Sequence, residues 1–546
     1  MAVFARAAVA ADHRLASRAG LAMLRAGGNA VDAAVATSFA LSVVRPYSCG
    51  VGGGGFMLVR LAGKAPVCIN YRETAPAIMG AAYFEGNEDP LAATRSGKAV
   101  GVPGHVAGML HALERFGTME RSRVLAPAIA LAREGYEADA HYVSSAREAI
   151  GVVEGRAERI ARFSFLWTRF LREGRVAIGD RIALPEQAEL LERVARDGAR
   201  AFYEGAVARA IVDAVHADGG ELTLEDLGAY RVREHAPLAT TFRGRTVLGM
   251  PPPSSGGIVL AQVLAMLEDR RELLEAALAE GHNAPGLIHL VAEACKHAFA
   301  DRARWLGDPE QVRVPMEDLL SAARLAETAA KIDAGRTRER GFYGVLPAPR
   351  DDHGTSHLCV VDAMGGAVAC TETINLEFGS FVGVPEFGFV LNDTIDDFVT
   401  RPGTANAFGL KHAGRNAPSA GKRPLSSMTP TMILEGGADS GVFMLAGASG
   451  GPRIISGTLQ AILNVLLFDL GAEDAVARAR FHHQWSPHTL QLEDGLVHTP
   501  THDALVAKGH DVSRRQPVAA VQVIRRQAGG WEPASDPRKG GAPAGM

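Results

Sequence analysis

The chain has little cysteine. Cys49, Cys68, Cys295, Cys359 and Cys370 are the five in 546 residues, an odd number with no CxxC pair and no metal-ligand spacing. A disulfide framework and a structural zinc site are both disfavoured. A basic excess is missing too. Lysine plus arginine is 57 against 61 for aspartate plus glutamate, a net charge of −4, without the cationic surplus that draws a protein onto a phosphate backbone. Nucleic acid is therefore not an expected partner. No apolar run reaches the ~20 residues of a membrane-spanning helix. The longest, 29–44, is alanine-rich and carries Asp32, so it reads as a buried helix and no membrane span is expected. Between Arg6 and Asp12 lie five apolar residues, too few for the hydrophobic stretch of a secretory signal. As numbered, the chain is expected in the cytoplasm; an upstream segment would make it periplasmic or secreted. Low-complexity linkers and internal repeats are also lacking.

What is present is the composition of a packed globular protein, 47% hydrophobic and 22% charged. The length allows several domains at about 150 residues each, or one large enzyme fold. The 61 glycines fall in clusters that mark turns and close backbone approaches. An amphipathic helix from Leu15 to Ala26 stops at Gly27 and Gly28, and Gly52 to Gly55 lead into a strand from Phe56 to Leu61. From 104 to 247 the apolar spacing is mostly helical and reads as scaffold. Pro251 to Pro253 run into Ser254, Ser255, Gly256 and Gly257 before an apolar helix at 258–267, where the serines are expected to be N-caps. Another helix covers 288–304. From Thr355 onward strands dominate, at 357–361, 367–373, 387–392, 432–435 and 442–446, separated by glycine or asparagine turns. A helix-rich part before a strand-rich part fits two domains, or one sandwich whose layers come from both.

Thr355 stands in Gly354-Thr355-Ser356-His357, at the start of the first of these strands. If the chain were cut before it, the new α-amine, with an ordinary pKa of about 7.7 to 8.0, would lie beside the threonine hydroxyl. Nucleophile and base would then be one residue. Taken alone, a polar turn capping a strand reads the same way.

Other motifs follow in order: Asn375; Leu391-Asn392-Asp393-Thr394-Ile395-Asp396-Asp397-Phe398; Lys422-Arg423-Pro424-Leu425-Ser426-Ser427-Met428; Gly450-Gly451; and Phe481-His482-His483-Gln484-Trp485. Upstream stand Gly27 to Ala34, Gly52 to Phe56, Arg72-Glu73-Thr74-Ala75-Pro76 and Pro251 to Gly257. This order and spacing, over nearly the whole chain, resembles the γ-glutamyltransferase family.

The resemblance implies an α/β (α+β) fold, the four-layer αββα sandwich of N-terminal-nucleophile hydrolases. It is made as one precursor that cleaves itself. The cut would fall between Gly354 and Thr355, giving a large subunit, 1–354, and a small subunit, 355–546, interleaved in one fold. Thr355 would be the nucleophile and Thr373 the residue that orients it. Gly450 and Gly451, ahead of a helix from about Arg453 to Phe468, would offer N–H groups to an oxyanion. Arg72, with Ser426 and Ser427, would hold the donor's α-carboxylate, and Asp397 and Asn375 its α-ammonium.

Two positions depart from the family pattern. Many members carry glutamine or glutamate where Thr394 stands, and some carry tyrosine at Phe408, in a lid at 401–422. The implied partners are glutathione or other γ-glutamyl compounds, and an amino acid or peptide acceptor; no cofactor or metal is implied. The nearest alternative is a glutaryl-type acylase or other small-amide hydrolase on the same fold. More distant ones are an uncleaved, inactive binding protein and a metal-dependent hydrolase using His482, His483 and His488 with Asp396 and Asp397.

Overall fold

The computed structural model describes residues 2–80, 82–84, 89, 91–344, 354–398 and 414–546. Two antiparallel sheets form its centre. The first runs, in spatial order, Ala544–Gly545, Ala8–Ala11, Ser356–Val361, Ala367–Thr373, Gly54–Arg60, Val67–Tyr71 and Arg233–His235. The second runs Gly530–Ser535, Ala520–Gln527, Val442–Ser449, Thr431–Leu434, Arg245–Gly249 and Leu238–Phe242. Each sheet takes strands from both sides of Thr355. The two compositional halves therefore build one interleaved sandwich.

Because successive strand residues point to opposite faces, the first sheet feeds two cores. Val9, Met57, Val59, Leu358, Val360 and Val368 face one core together with helix Ala30–Val44. Ala8, Ala10, Phe56, Leu58, Cys359, Val361 and Ala369 face the other, shared with the second sheet. Helices Gly256–Asp269 and Arg453–Phe468 pack on the second sheet, with Pro285–Trp305 against the former. The layer order is αββα.

Helix Ala30–Val44 is buried on every side, as a helix with apolar residues all round is expected to be. Its start is a reciprocal cap: Asn29 accepts from the N–H groups of Val31 and Asp32, and the Asp32 carboxylate accepts from Asn29 N–H at 2.8 Å. Asp32 also accepts from Thr118 and Met119 N–H, which accounts for a charge in an otherwise apolar segment. The strand expected at 387–392 is cut to Phe389–Val390, because a 3-10 turn, Pro385–Phe387, and Gly388 at φ 69° take its first half. Phe408 and most of the expected lid lie outside the described residues.

Candidate active site

Thr355 sits at the mouth of the sheet–sheet layer, one residue before strand Ser356–Val361, and is 4% exposed. Its φ is 146°, a region that β-branched residues avoid and that costs about 1–3 kcal/mol. The chain is thus strained at the Gly354–Thr355 junction. The Thr355 hydroxyl lies 3.1 Å from that of Thr373, at the end of the neighbouring strand Ala367–Thr373, and Thr373 Oγ1 also accepts from Asn375 N–H at 2.8 Å. On the other side of Thr373 runs Gly54–Arg60. A Cβ on Gly53 would lie 2.1 Å from the Thr373 carbonyl oxygen, so this glycine allows the close approach that fixes the strand end.

The Thr355 carbonyl accepts a hydrogen bond from the Lys539 ammonium, which pairs with Asp12 at 2.8 Å. Both charges are buried. Among the described residues, no histidine or carboxylate hydrogen-bonds the Thr355 hydroxyl. His357, two residues on, turns between the sheets, where its ring bonds Thr371 Oγ1 at 2.8 Å and Cys359 Sγ at 3.2 Å. Burial lowers its pKa to about 3, so it is neutral and spent on structure.

A small cavity beside Thr355 is lined by Arg72, Thr373, Asn375, Asp397, Ser426, Ser427 and Gly451. Eight of the ten residues expected at the site thus meet around one space. The cavity is charged. Arg72 forks between Glu73, at 3.1 Å, and Asp397, so the cation and the anion expected at opposite ends of a donor hold each other. Burial raises the Glu73 carboxyl to about 7, against the pull of Arg72. Asn375 is held at φ 77°, and its side-chain amide donates to the Asp393 carbonyl at 3.2 Å.

The remaining two residues stand apart. Gly450 lines a second, polar cleft on the far side of Thr355, with Gly354, Glu377, Arg538 and Lys539. Thr394 lines neither space: its hydroxyl donates to Asn392 Oδ1 at 2.6 Å. Gly450 and Gly451 take φ of 128° and 57° and lead through Pro452 into helix Arg453–Phe468. Among the described residues neither N–H has a hydrogen-bond partner, and the helix N-terminus adds positive potential there.

Sequence reasoning did not find the layer behind the cavity. Ser255 holds the N-cap position of helix Gly256–Asp269, and Ser254 Oγ accepts from Gly256 N–H at 3.1 Å, but both hydroxyls also brace a distant segment. Ser255 makes no capping bond to helix Gly256–Asp269; its hydroxyl donates to the Ser426 carbonyl at 2.7 Å, and Ser254 donates to the Met428 carbonyl at 2.7 Å. The buried Arg302 reaches both Ser255 and Ser427. Lys539 and Asp12 were likewise missed. They are 527 positions apart, and no local pattern joins them.

Two of the three histidines considered for a metal, His482 and His483, are engaged in hydrogen bonds, and the His488 ring packs edge-on to that of His483. His482 bonds Ser456 and Gln484, and His483 accepts from Trp485 N–H. His289, Glu293 and His510 come together elsewhere, but the two rings share a proton at 2.8 Å and Glu293 is paired with Lys296 at 2.6 Å. Among the described residues, no helix is long and apolar enough to cross a membrane.

With this geometry in view, comparison with known proteins is specific. The family described as gamma-glutamyltranspeptidase matches residues 16–546. A glutathione hydrolase proenzyme of Escherichia coli K12 is 37% identical over 97% of this chain and 90% of its own length. An acylase ACY 1 proenzyme of Pseudomonas sp. SE83 is 35% identical over 94% of this chain and 88% of its own. The crystal structure of a cephalosporin acylase from Bacillus halodurans superposes with a TM-score of 0.84 at 26% identity, covering 100% of this chain and 96% of that one. The αββα sandwich is that of the N-terminal-nucleophile enzymes, and the chain belongs to the gamma-glutamyltranspeptidase family.

Proposed function

We propose that the chain is a proenzyme that cuts itself between Gly354 and Thr355, and that the product is a γ-glutamyltransferase and glutathione hydrolase. The single observation that carries this is the convergence of Thr355, Thr373, Arg72, Asn375, Asp397, Ser426, Ser427 and Gly451 on one cavity. In maturation the Thr355 hydroxyl attacks the Gly354 carbonyl carbon. The peptide C–N bond breaks, its nitrogen takes the proton, and water hydrolyses the resulting ester. This leaves a large subunit, 1–354, and a small subunit, 355–546. Relief of the Thr355 backbone strain favours the cut.

In turnover the freed α-amine takes the Thr355 hydroxyl proton as Oγ attacks the donor's γ-carbonyl. The N–H groups of Gly450 and Gly451 stabilise the oxyanion, a contribution of about 3 kcal/mol per donor. Collapse expels the leaving amine, which takes back that proton, and leaves a γ-glutamyl–Thr355 ester. Water or an acceptor amine then attacks the ester carbonyl. The α-carboxylate lies against Arg72, Ser426 and Ser427, and the α-ammonium against Asp397 and Asn375. A zwitterionic donor replaces the Arg72–Asp397 contact with one contact to each end.

A glutaryl-type acylase is the second reading, favoured by the placement of Thr394, whose hydroxyl is turned away from the ammonium end. The two are separated by kcat/KM on matched γ-glutamyl and glutaryl anilides. A preference for the γ-glutamyl compound is expected, because the donor's ammonium adds a charge-assisted contact to Asp397 that the glutaryl compound cannot make. A preference for the glutaryl compound would withdraw the γ-glutamyl assignment.

A further inference from the structure

Arg302 is the unexplained charge of the molecule. It lies near the end of helix Pro285–Trp305 and is 1% exposed. Its Nε donates to Ser255 Oγ at 2.9 Å and its Nη2 to Ser427 Oγ at 3.4 Å, while Nη1 is buried with no hydrogen-bond partner. Among the described residues no carboxylate forms an ion pair with it. Burial lowers its pKa to about 10, with only the field of Asp397 in opposition, so the guanidinium is charged at neutral pH. An unpaired buried cation is strongly unfavourable, and here it stands directly behind a wall of the ligand cavity. Arg72 cannot share its anions, since Glu73 and Asp397 already occupy that fork.

The hydroxyl chemistry gives the charge a use. A serine hydroxyl has one donor and two acceptor positions. When Arg302 donates to Ser427 Oγ it fills an acceptor position, and the Ser427 O–H is left to donate into the cavity. The same side chain donates to Ser255, whose own O–H is spent on the Ser426 carbonyl. One guanidinium thus braces the neighbouring residue's backbone and sets the polarity of the serine that faces the ligand.

We propose that Arg302 is the second cation of the carboxylate subsite, a positioning residue that acts through Ser427 to select donors carrying an α-carboxylate. This rests on the γ-glutamyl reading above. The ligand's carboxylate supplies the anion that the protein leaves out, and the serine pair carries the field of Arg302 to it without direct contact.

The test compares γ-glutamyl anilide with 4-aminobutanoyl anilide, the same donor without its α-carboxylate, on the matured enzyme. For Arg302→Met the KM for γ-glutamyl anilide should rise about tenfold, the loss of roughly one charge-assisted contact. The kcat/KM for the 4-aminobutanoyl compound should change by less than about twofold. In a Ser427→Ala background Arg302→Met should cost no further preference, because the relay is already cut. Equal loss on both donors, no change on either, or full additivity with Ser427→Ala would each overturn the role. Arg302→Lys keeps the charge and loses the fork, and covers the case in which the methionine variant does not mature. Its preference should fall between those of wild type and Ser427→Ala, and an unchanged preference contradicts the proposal. Wild type that does not prefer γ-glutamyl over 4-aminobutanoyl anilide would instead sink the γ-glutamyl reading, and this inference with it.

Discussion

Lys539→Met removes the ammonium that donates to the Thr355 carbonyl, and its consequences follow from that contact and the pairing with Asp12. The ammonium pairs with Asp12 at 2.8 Å and donates to the Thr355 carbonyl, with both charged groups buried. Breaking a buried pair by removing one partner costs about 3–5 kcal/mol, so a clear fall in Tm is expected. Asp12→Asn in the same chain should recover part of it. The catalytic effect is separate. Once the chain is cut, the Thr355 α-nitrogen lies within about 3.6 Å of its own carbonyl oxygen, hence no more than about 6 Å from the ammonium. At an effective dielectric of about 20 that proximity is worth about 3 kcal/mol, or two pK units, and Asp12 cancels part of it. The amine should therefore titrate about one unit below its ordinary 7.7 to 8.0.

Other charges face the same region. Arg45 donates to the backbone carbonyls of Asp12 and Lys539; Arg538, Glu148, Glu377 and His141 line the cleft on one side, and Arg72 and Asp397 the cavity on the other, with Glu73 against Arg72. None is altered by the variants, so the comparison isolates the pair. The acid limb of kcat/KM should move up by about one unit in Lys539→Met and down in Asp12→Asn, which keeps the cation and removes its counter-charge. Opposite shifts are what a purely structural role would not produce. An acid limb that stays in place in both variants refutes the electrostatic reasoning.

Three other perturbations have defined outcomes. A Cβ on Gly447 would fall 2.1 Å from the His357 ring, so Gly447→Ala should cost at least about 1–3 kcal/mol by overpacking, read as a lower Tm and slower maturation. Glu73 holds its proton up to about 7 in the folded chain, above its ordinary 4.5. The folded state then binds more protons than the unfolded between those values, and the contribution falls as pH rises across 4.5 to 7. Glu73→Gln lacks that loss, and should gain up to about 3 kcal/mol relative to wild type between pH 4.5 and 7 in denaturant titrations. Arg72→Lys loses a planar fork that reaches two carboxylates at once, and should raise KM for γ-glutamyl donors far more than it slows maturation; an unchanged KM would make Arg72 a scaffold residue.

Local pattern carried much of this molecule. Helix Ala30–Val44, strand Ala367–Thr373 and helix Arg453–Phe468 were legible because each is rich in apolar residues and bounded by a cap, a turn or glycines. Strand Ala8–Ala11 was not. Alanine has little strand preference, and the segment is a strand only because Ser356–Val361 pairs with it from some 350 positions away. The site residues were found through ordered motifs, but their supports were not. Ser255 carries the signature of an N-cap and serves as a brace, because the segment it meets, Ser426 to Met428, arrives from the other part of the chain. Arg302 and Lys539 look like surface charges in sequence. Only the packed layers show that both are buried, Arg302 behind the cavity and Lys539 against the cleft.

The measurement that bears most directly on the account is the mass and N-terminal sequence of the purified protein after incubation, for wild type and Thr355→Ala. Wild type should give two chains, with the shorter beginning at Thr355 and catalytic activity appearing in step with the cut. Thr355→Ala should stay intact and inactive, since alanine lacks the hydroxyl for both reactions. A wild-type chain that remains a single 546-residue polypeptide and still turns over a γ-glutamyl donor would contradict the account.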